Sequence, residues 1–295
     1  MCIRDSFKME ASEANILFWD DLVKFCTLMI GAPHSPREEA EISHAVRAVA
    51  LLPASMRSFT AVMQNLPNVD ANSVAERLRK WCADGALGWA LDCDEDLLEF
   101  GATRTYGFDY TELLEDAQTC PAIMMYLMFR VESLIDGRRF AFFMDEYWKA
   151  LSVPYFEDFA KNKQKTIRKQ NGFGVYMTQS PSDTLRSPIA RALIEQTATF
   201  IFLPNPTADY GDYVDGFKLT ATEFELLKSL GEGSRMFLIK QGTSVAIAML
   251  DLHGFSDELK ILSGTTANVA RLDALRARHG DHPDQWINHF LEESR

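Results

Sequence analysis

From residue 11 to residue 81 the apolar positions recur three and four apart. "ANILFWDDLVKFCTLMIG" and "EEAEISHAVRAVALL" both carry such a stripe, the period of a helix that buries one face. "SPREE" places Ser35 ahead of Pro36 and an acidic first turn, which is how a helix starts. "NSVAERLRKWC" continues the pattern after another Asn/Ser start. No β-branched run interrupts the stretch, so it predicts helices throughout.

The pattern changes near "GALGWALDCDEDLLEF". Short extended pieces, "GWALD" and "RTYGFDY", precede a helix from Pro121 to Ile135. Apolar runs then alternate with helices: "RRFAFFMDE", the basic helical "YFEDFAKNKQKTIRKQNG", "FGVYMTQ", the helix "PIARALIEQ", and "TATFIFLPNP". Short strands separated by helices predict a parallel α/β sheet covered on both faces. "SRMFLIKQG" and "TSVAIAMLDL" read as an appended antiparallel hairpin, and the tail from Asn268 is helical.

Composition adds bounds. The 295 residues suffice for one large or two modest domains, and 47% hydrophobic with 24% charged residues is ordinary for a globular protein. A net charge of -12 argues against wholesale coating of nucleic acid and leaves local basic patches open. The longest apolar run, "PAIMMYLMFRVESLI", is broken by Arg130 and Glu132 and falls short of the ~18 residues of a membrane span. Five cysteines without a C-x-x-C pair suit reduced, mostly buried thiols. "MCIRDS", residues 1–6, is too short in hydrophobic length for a signal peptide. It reads as a sequencing scar and is set aside from the fold.

The chemistry starts at "FAFFMDEYWKAL". A strand ending in Asp145-Glu146 puts two acids at the carboxyl edge of the sheet, where open α/β proteins bind ligands. One acid can hold Mg²⁺ while its neighbour orients or deprotonates the attacking water. The competing explanation is acids that simply cap the next helix. Thirty-three residues on, "FGVYMTQSPSD" ends a second strand in Thr178-Gln179. A neutral amide there can bond a γ-phosphate or the lytic water. The pair, in this order, looks like the core of a RecA-like motor domain. In the basic helix, Lys161, Lys163, Lys165, Arg168 and Lys169 make either a solvated face or a nucleic-acid or neighbour contact. Arg168 and Arg191 lie near strand ends and are candidates for an arginine finger acting in trans.

The phosphate side is missing from these residues. No G-x-x-x-x-G-K-[ST] occurs, and "GEGSR" and "NGFG" lack the lysine and hydroxyl of a phosphate cradle. The six histidines show no metal spacing, and there is no G-x-S-x-G.

From about Val46 onward the chain resembles the C-terminal motor domain of the CagE/TrbE/VirB family, ATPases of type IV secretion and conjugation. The resemblance rests on "WCADGALGWALDCDEDLLEF", "YGFDYTELLED", "LIDGRRFAFFMDEYWKAL", "IRKQNGFGVYMTQSPSD", "EQTATFIFLPNP", "FKLTATEFELLKSL" and "SRMFLIKQG". It implies a RecA-like P-loop NTPase core, a mostly parallel sheet with helices on both faces, carrying an all-α insertion and a C-terminal β-hairpin. The implied boundaries are a helical insertion over 7–85, a partial ATPase core over 86–265 and a C-terminal helical segment over 266–295. Asp145 falls on the Walker B magnesium acid, Glu146 on the catalytic glutamate and Gln179 on the strand-end glutamine; Tyr147 stands where alanine is common. ATP and Mg²⁺ are the implied cofactors, with Thr178 beside the nucleotide.

The resemblance also implies self-association, typically as hexamers, alongside other inner-membrane secretion components on the cytoplasmic side of a bacterial inner membrane. The missing Walker A strand and loop, with the "MCIRDS" start, imply an N-terminally truncated chain that binds nucleotide poorly alone. The alternatives are a DNA-translocating motor of the coupling-protein, HerA or FtsK type, and a scaffold subunit that does not hydrolyse ATP.

Overall fold

The computed structural model describes residues 6–29, 32–93, 98, 100, 104–111, 113–147, 167–187, 190–231 and 233–292, apart from the side chains of Leu114 and Arg168. The chain divides into two compact units, Met1–Thr197 and Ala198–Arg295.

The first unit begins with the predicted helices, α1 (Glu13–Thr27), α2 (Pro36–Ala50), α3 (Phe59–Gln64) and α4 (Val74–Arg79). Ser35 caps α2 as the "SPREE" run predicts, and with Glu38 it closes a reciprocal capping box. Phe18, Trp19 and Leu22 of α1 bury against Ile42 and Val46 of α2, Phe59 of α3 and Leu78 of α4. Indole N–H groups buried in this core need acceptors: Trp19 donates to the Ser6 carbonyl at 2.8 Å and Trp81 to that of Cys26 at 3.0 Å. The "GWALD" stretch, expected to be extended, instead forms α5 (Gly88–Leu91), with Ala90 and Leu91 fully buried in the same core. Residues 105–110 are irregular rather than a strand.

The buried carboxylate of Asp92 ties this unit together. It accepts from the backbone N–H of Phe59 (2.8 Å), Thr60 (3.1 Å) and Ala83 (2.7 Å), and from the Thr60 hydroxyl (2.6 Å). Two of those donors are unpaired amides at the first turn of α3, which have no partner within their own helix.

Helix α6 (Cys120–Ser133) is apolar on all sides and has no solvent face through its middle. Ala122, Ile123, Met125 and Tyr126 enter the helical core, while Cys120, Met124, Leu127 and Met128 pack with Met144 and Tyr147. The second group lies under a parallel pair, β1 (Phe140–Met144) and β2 (Gly172–Tyr176). Gly172 and Gly174 lie opposite Phe140 and Phe142, and a Cβ at either glycine would stand 2.2 Å or 2.4 Å from the facing ring. The "GFG" of β2 therefore makes room for the "FAF" of β1. After β2 come α7 (Pro181–Arg186) and α8 (Ala190–Gln196).

In the second unit, β3 (Thr199–Phe202), β4 (Met236–Gln241) and β5 (Ser244–Met249) form an antiparallel sheet in the order β3-β4-β5. The hairpin is as expected, with Gly242 at φ +58 in its two-residue turn. The strand "TATFIF" is present, but it pairs antiparallel with β4, not parallel in the sheet of β1 and β2. Its inward Phe200 and Phe202 join Phe217 and Tyr213 in an aromatic cluster.

Helix α9 (Ala221–Ser229) starts at a Thr220–Glu223 capping box. The Lys240 ammonium of β4 bonds the Glu223 carboxylate at 2.6 Å and the Lys218 carbonyl at 2.9 Å. Helices α10 (Ser256–Leu262), α11 (Thr266–His279) and α12 (Pro283–Glu292) complete the unit, with Leu275, Trp286 and Phe290 at their core.

The buried Asp92 and the half-buried Glu223 each yield a stability prediction. Asp92→Ala strands three amides and a hydroxyl and is expected to cost about 2–4 kcal/mol in urea denaturation; a loss below about 0.5 kcal/mol would contradict the tether. For Glu223, burial pushes the carboxyl up, but the bonds from Lys240 and Thr220 together outweigh it and hold it below its ordinary 4.5. Its contribution is therefore present above about pH 4.5 and lost as pH falls through the lower folded value. Melting curves from about pH 7 down to about pH 3 should fall less steeply in Glu223→Gln than in the unaltered chain.

Candidate functional site

Parallel strands present their carboxyl ends on one edge, and both predicted site segments lie there. The Met177 N–H donates to the Met144 carbonyl at 2.8 Å, extending the β1–β2 ladder by one step, and the Tyr147 N–H reaches the Met177 carbonyl at 3.4 Å. Asp145-Glu146 and Thr178-Gln179 therefore leave adjacent strands side by side. Asp145 and Gln179 are exposed, and Glu146 and Thr178 half-buried.

The acids occupy a turn, with Tyr147 starting helical geometry after it. Glu146 has φ +48, in the left-handed region. For a residue with a side chain this costs about 1–2 kcal/mol, and such conformations concentrate at functional sites. Local bonds hold the turn. The Asp145 carboxylate accepts from the Glu146 N–H at 3.1 Å, and the Tyr110 hydroxyl donates to the Asp145 carbonyl. A neutral hydrogen bond contributes about 0.5–1.5 kcal/mol net, the same size as the left-handed penalty.

Beneath the turn, the Tyr147 ring meets Tyr176 edge-on at 5.2 Å. The Tyr147 hydroxyl lies 2.9 Å from that of Thr184 on α7, in a buried contact. Burial pushes the Tyr147 phenol up against the opposing bond from Thr184. The acid turn and the helix that follows Gln179 are thus joined through Tyr147. Thr178 is committed locally, its hydroxyl accepting from the Ser180 N–H at 3.2 Å.

The arginines are placed differently. Arg191 is on α8 and pairs with Glu195 one turn along at 2.9 Å, exposed to solvent. Arg168 lies on a one-turn helix, Arg168–Gln170, ahead of β2, and its side chain is outside the described residues. Lys161, Lys163 and Lys165 also fall outside them.

Among the described residues no group of three or more His, Cys, Asp or Glu side chains could hold a metal ion. A single exposed strand-end carboxylate still suits Mg²⁺, which keeps several waters and takes one or two protein carboxylates plus substrate phosphates. The donor set fits the metal side of a nucleotide site, while the sequence supplies no lysine loop for the phosphates. Cys26, Cys82, Cys93 and Cys120 are free thiols, as expected for the described cysteines, and burial pushes the Cys82 thiol up to about 11.

Tyr110 and Thr184 were not singled out by sequence reasoning. The "DYT" triplet carries the signal for Tyr110, since Asp109 accepts from the Thr111 N–H at 3.0 Å and its hydroxyl at 2.7 Å. That Asx turn presents the intervening side chain.

Comparison with known proteins bears on the family and the fold. Residues 59–226 match the TraG P-loop domain. The chain is 46% identical, over 97% of its length, to the type IV secretion system protein virB4 of Brucella abortus (strain 9-941), covering 36% of that relative. It is 40% identical over 96% of its length to the type IV secretion system protein PtlC of Bordetella pertussis, covering 35%. The chain thus spans about a third of the length of these curated relatives. The solved structure of VirB4 of Thermoanaerobacter pseudethanolicus superposes with a TM-score of 0.60 at 16% identity, over 86% of this chain and 77% of that one. The structural likeness shows a shared mixed α/β fold, and the match to the TraG P-loop domain gives that fold its P-loop NTPase type.

The left-handed backbone yields a direct comparison. Both Glu146→Gly and Glu146→Ala delete the carboxylate, but glycine adopts this φ without strain. The glycine variant is expected to be more stable than the alanine variant by about 1 kcal/mol in urea denaturation; equal stabilities would show that the turn is unstrained.

Proposed function

The chain belongs to the TraG P-loop domain family and is of the VirB4 type, and on that premise we propose that it supplies the magnesium and water side of an ATPase site in a type IV secretion motor. The observation that carries this reading is the Asp145-Glu146 turn at the carboxyl edge of a parallel strand pair, beside Thr178-Gln179.

In this proposal the Asp145 carboxylate would hold Mg²⁺, directly or through water, and Glu146 would take the proton from the attacking water. Gln179 hydrogen-bonds the water or a γ-phosphate oxygen, and Thr178 flanks it. Bound Mg²⁺ would offset charge on the phosphates as the terminal bond breaks. Tyr147 transmits displacement of the turn to α7 through Thr184. Arg168 or Arg191 would reach a neighbouring subunit's nucleotide; for Arg191 this requires exchanging Glu195 for phosphate.

The phosphate-binding loop would come from outside these 295 residues, as the relatives' greater length supports. The assembly would be a self-associating ring, a hexamer by family resemblance, on the cytoplasmic side of the inner membrane with other secretion components. Its helical insertion would cover 7–85, its core 86–265 and its terminal helices 266–295. Among the described residues, no helix is long and apolar enough to cross a membrane. The relatives' names favour secretion over DNA pumping.

The test is phosphate release by the protein extended with its genomic upstream sequence. Mg²⁺-dependent ATP hydrolysis is expected, falling at least about 100-fold in Glu146→Gln. Full activity in that variant would overturn the role given to Glu146.

A further inference from the structure

We propose that Tyr110 is a positioning residue for Glu146: its hydroxyl, by holding the Asp145 carbonyl, fixes the left-handed turn that aims the Glu146 carboxylate. The inference rests on the ATPase reading above and deepens it.

The bond is made to the peptide that joins the two acids, so it acts on the orientation of Glu146 without touching its carboxylate. The Asp109 turn holds Tyr110 in place. Its neighbour Phe108 packs against the same apolar cluster that contains Met144 and Tyr147, the residues on either side of the acids. Loop and turn are therefore fixed to one base, and the hydroxyl spans the gap between them.

A phenol is protonated at neutral pH, so the Tyr110 hydroxyl donates to the Asp145 carbonyl. One hydrogen bond and the left-handed penalty at Glu146 are similar in size. Losing the hydroxyl should therefore shift the turn's population about tenfold. A contact serving only to pack the loop would leave that population unchanged.

Tyr110→Phe keeps the ring and removes the donor. In the full-length protein, kcat for Mg-ATP is expected to fall about tenfold with KM moved less than about twofold. Amide exchange over 145–147 should accelerate while exchange in β1 does not. In a Glu146→Gln background the same substitution should cause no further loss, because the group being aimed is gone.

An unaltered kcat, unchanged exchange over 145–147, or an equal further loss in the Glu146→Gln background would overturn the role of Tyr110. If the unaltered protein does not hydrolyse ATP, the ATPase reading itself falls, and this role with it. A hydrolysing protein that is indifferent to Tyr110→Phe overturns this inference alone.

Discussion

Helix α6 is the constraint on which the first unit depends. With no polar face through Ala122–Met128, it has to be covered on both sides, and each fully buried large apolar side chain contributes about 1.5–3 kcal/mol. One side is covered by α1 and its helical partners, the other by the side chains under β1 and β2. Because Met144 and Tyr147 belong to that second cluster, the helix that completes the helical core also sets the height of the acid turn. Packing and chemistry meet at two residues on either side of Asp145-Glu146.

The turn itself shows local preference giving way to tertiary context. A glutamate does not choose a left-handed backbone alone. It is held there by a ladder bond from Met177, by the Asp145 side chain, by Tyr110 and by the buried Tyr147–Thr184 contact. Several modest bonds acting on one turn can fix a conformation that none of them would fix separately. In the proposed ATPase site, a carboxylate that meets a water molecule in one orientation would need that definition. The glycines opposite Phe140 and Phe142 serve the same end by letting the two strands share one close-packed face.

Elements defined by local chemistry were legible in the sequence. The Ser35 cap, the "FAFFM" strand, the hairpin at Gly242 and the adjacency of Asp145-Glu146 to Thr178-Gln179 all follow from spacing and turn residues. What escaped was decided at long range. "GWALD" looks extended, yet helical burial of Ala90 and Leu91 wins. "TATFIF" reads the same whether its neighbour runs parallel or antiparallel, and its pairing with β4 is a tertiary choice. The run "PAIMMYLMF" stands out as apolar, but its two-sided burial depends on partners distant in sequence. Tyr110 reaches the acids from thirty-five residues away, a separation that no local pattern announces.

The central proposal is that Asp145 and Glu146 supply the metal acid and the base of a nucleotide site, and that the phosphate loop comes from outside these residues. Equilibrium titration with Mg-ATP tests it directly, comparing the 295-residue chain with the same chain extended by its genomic upstream sequence. The account predicts Mg²⁺-dependent binding by the extended protein and binding at least about 100-fold weaker by the chain alone. Equal affinity in the two, or no binding by the extended protein, would contradict it.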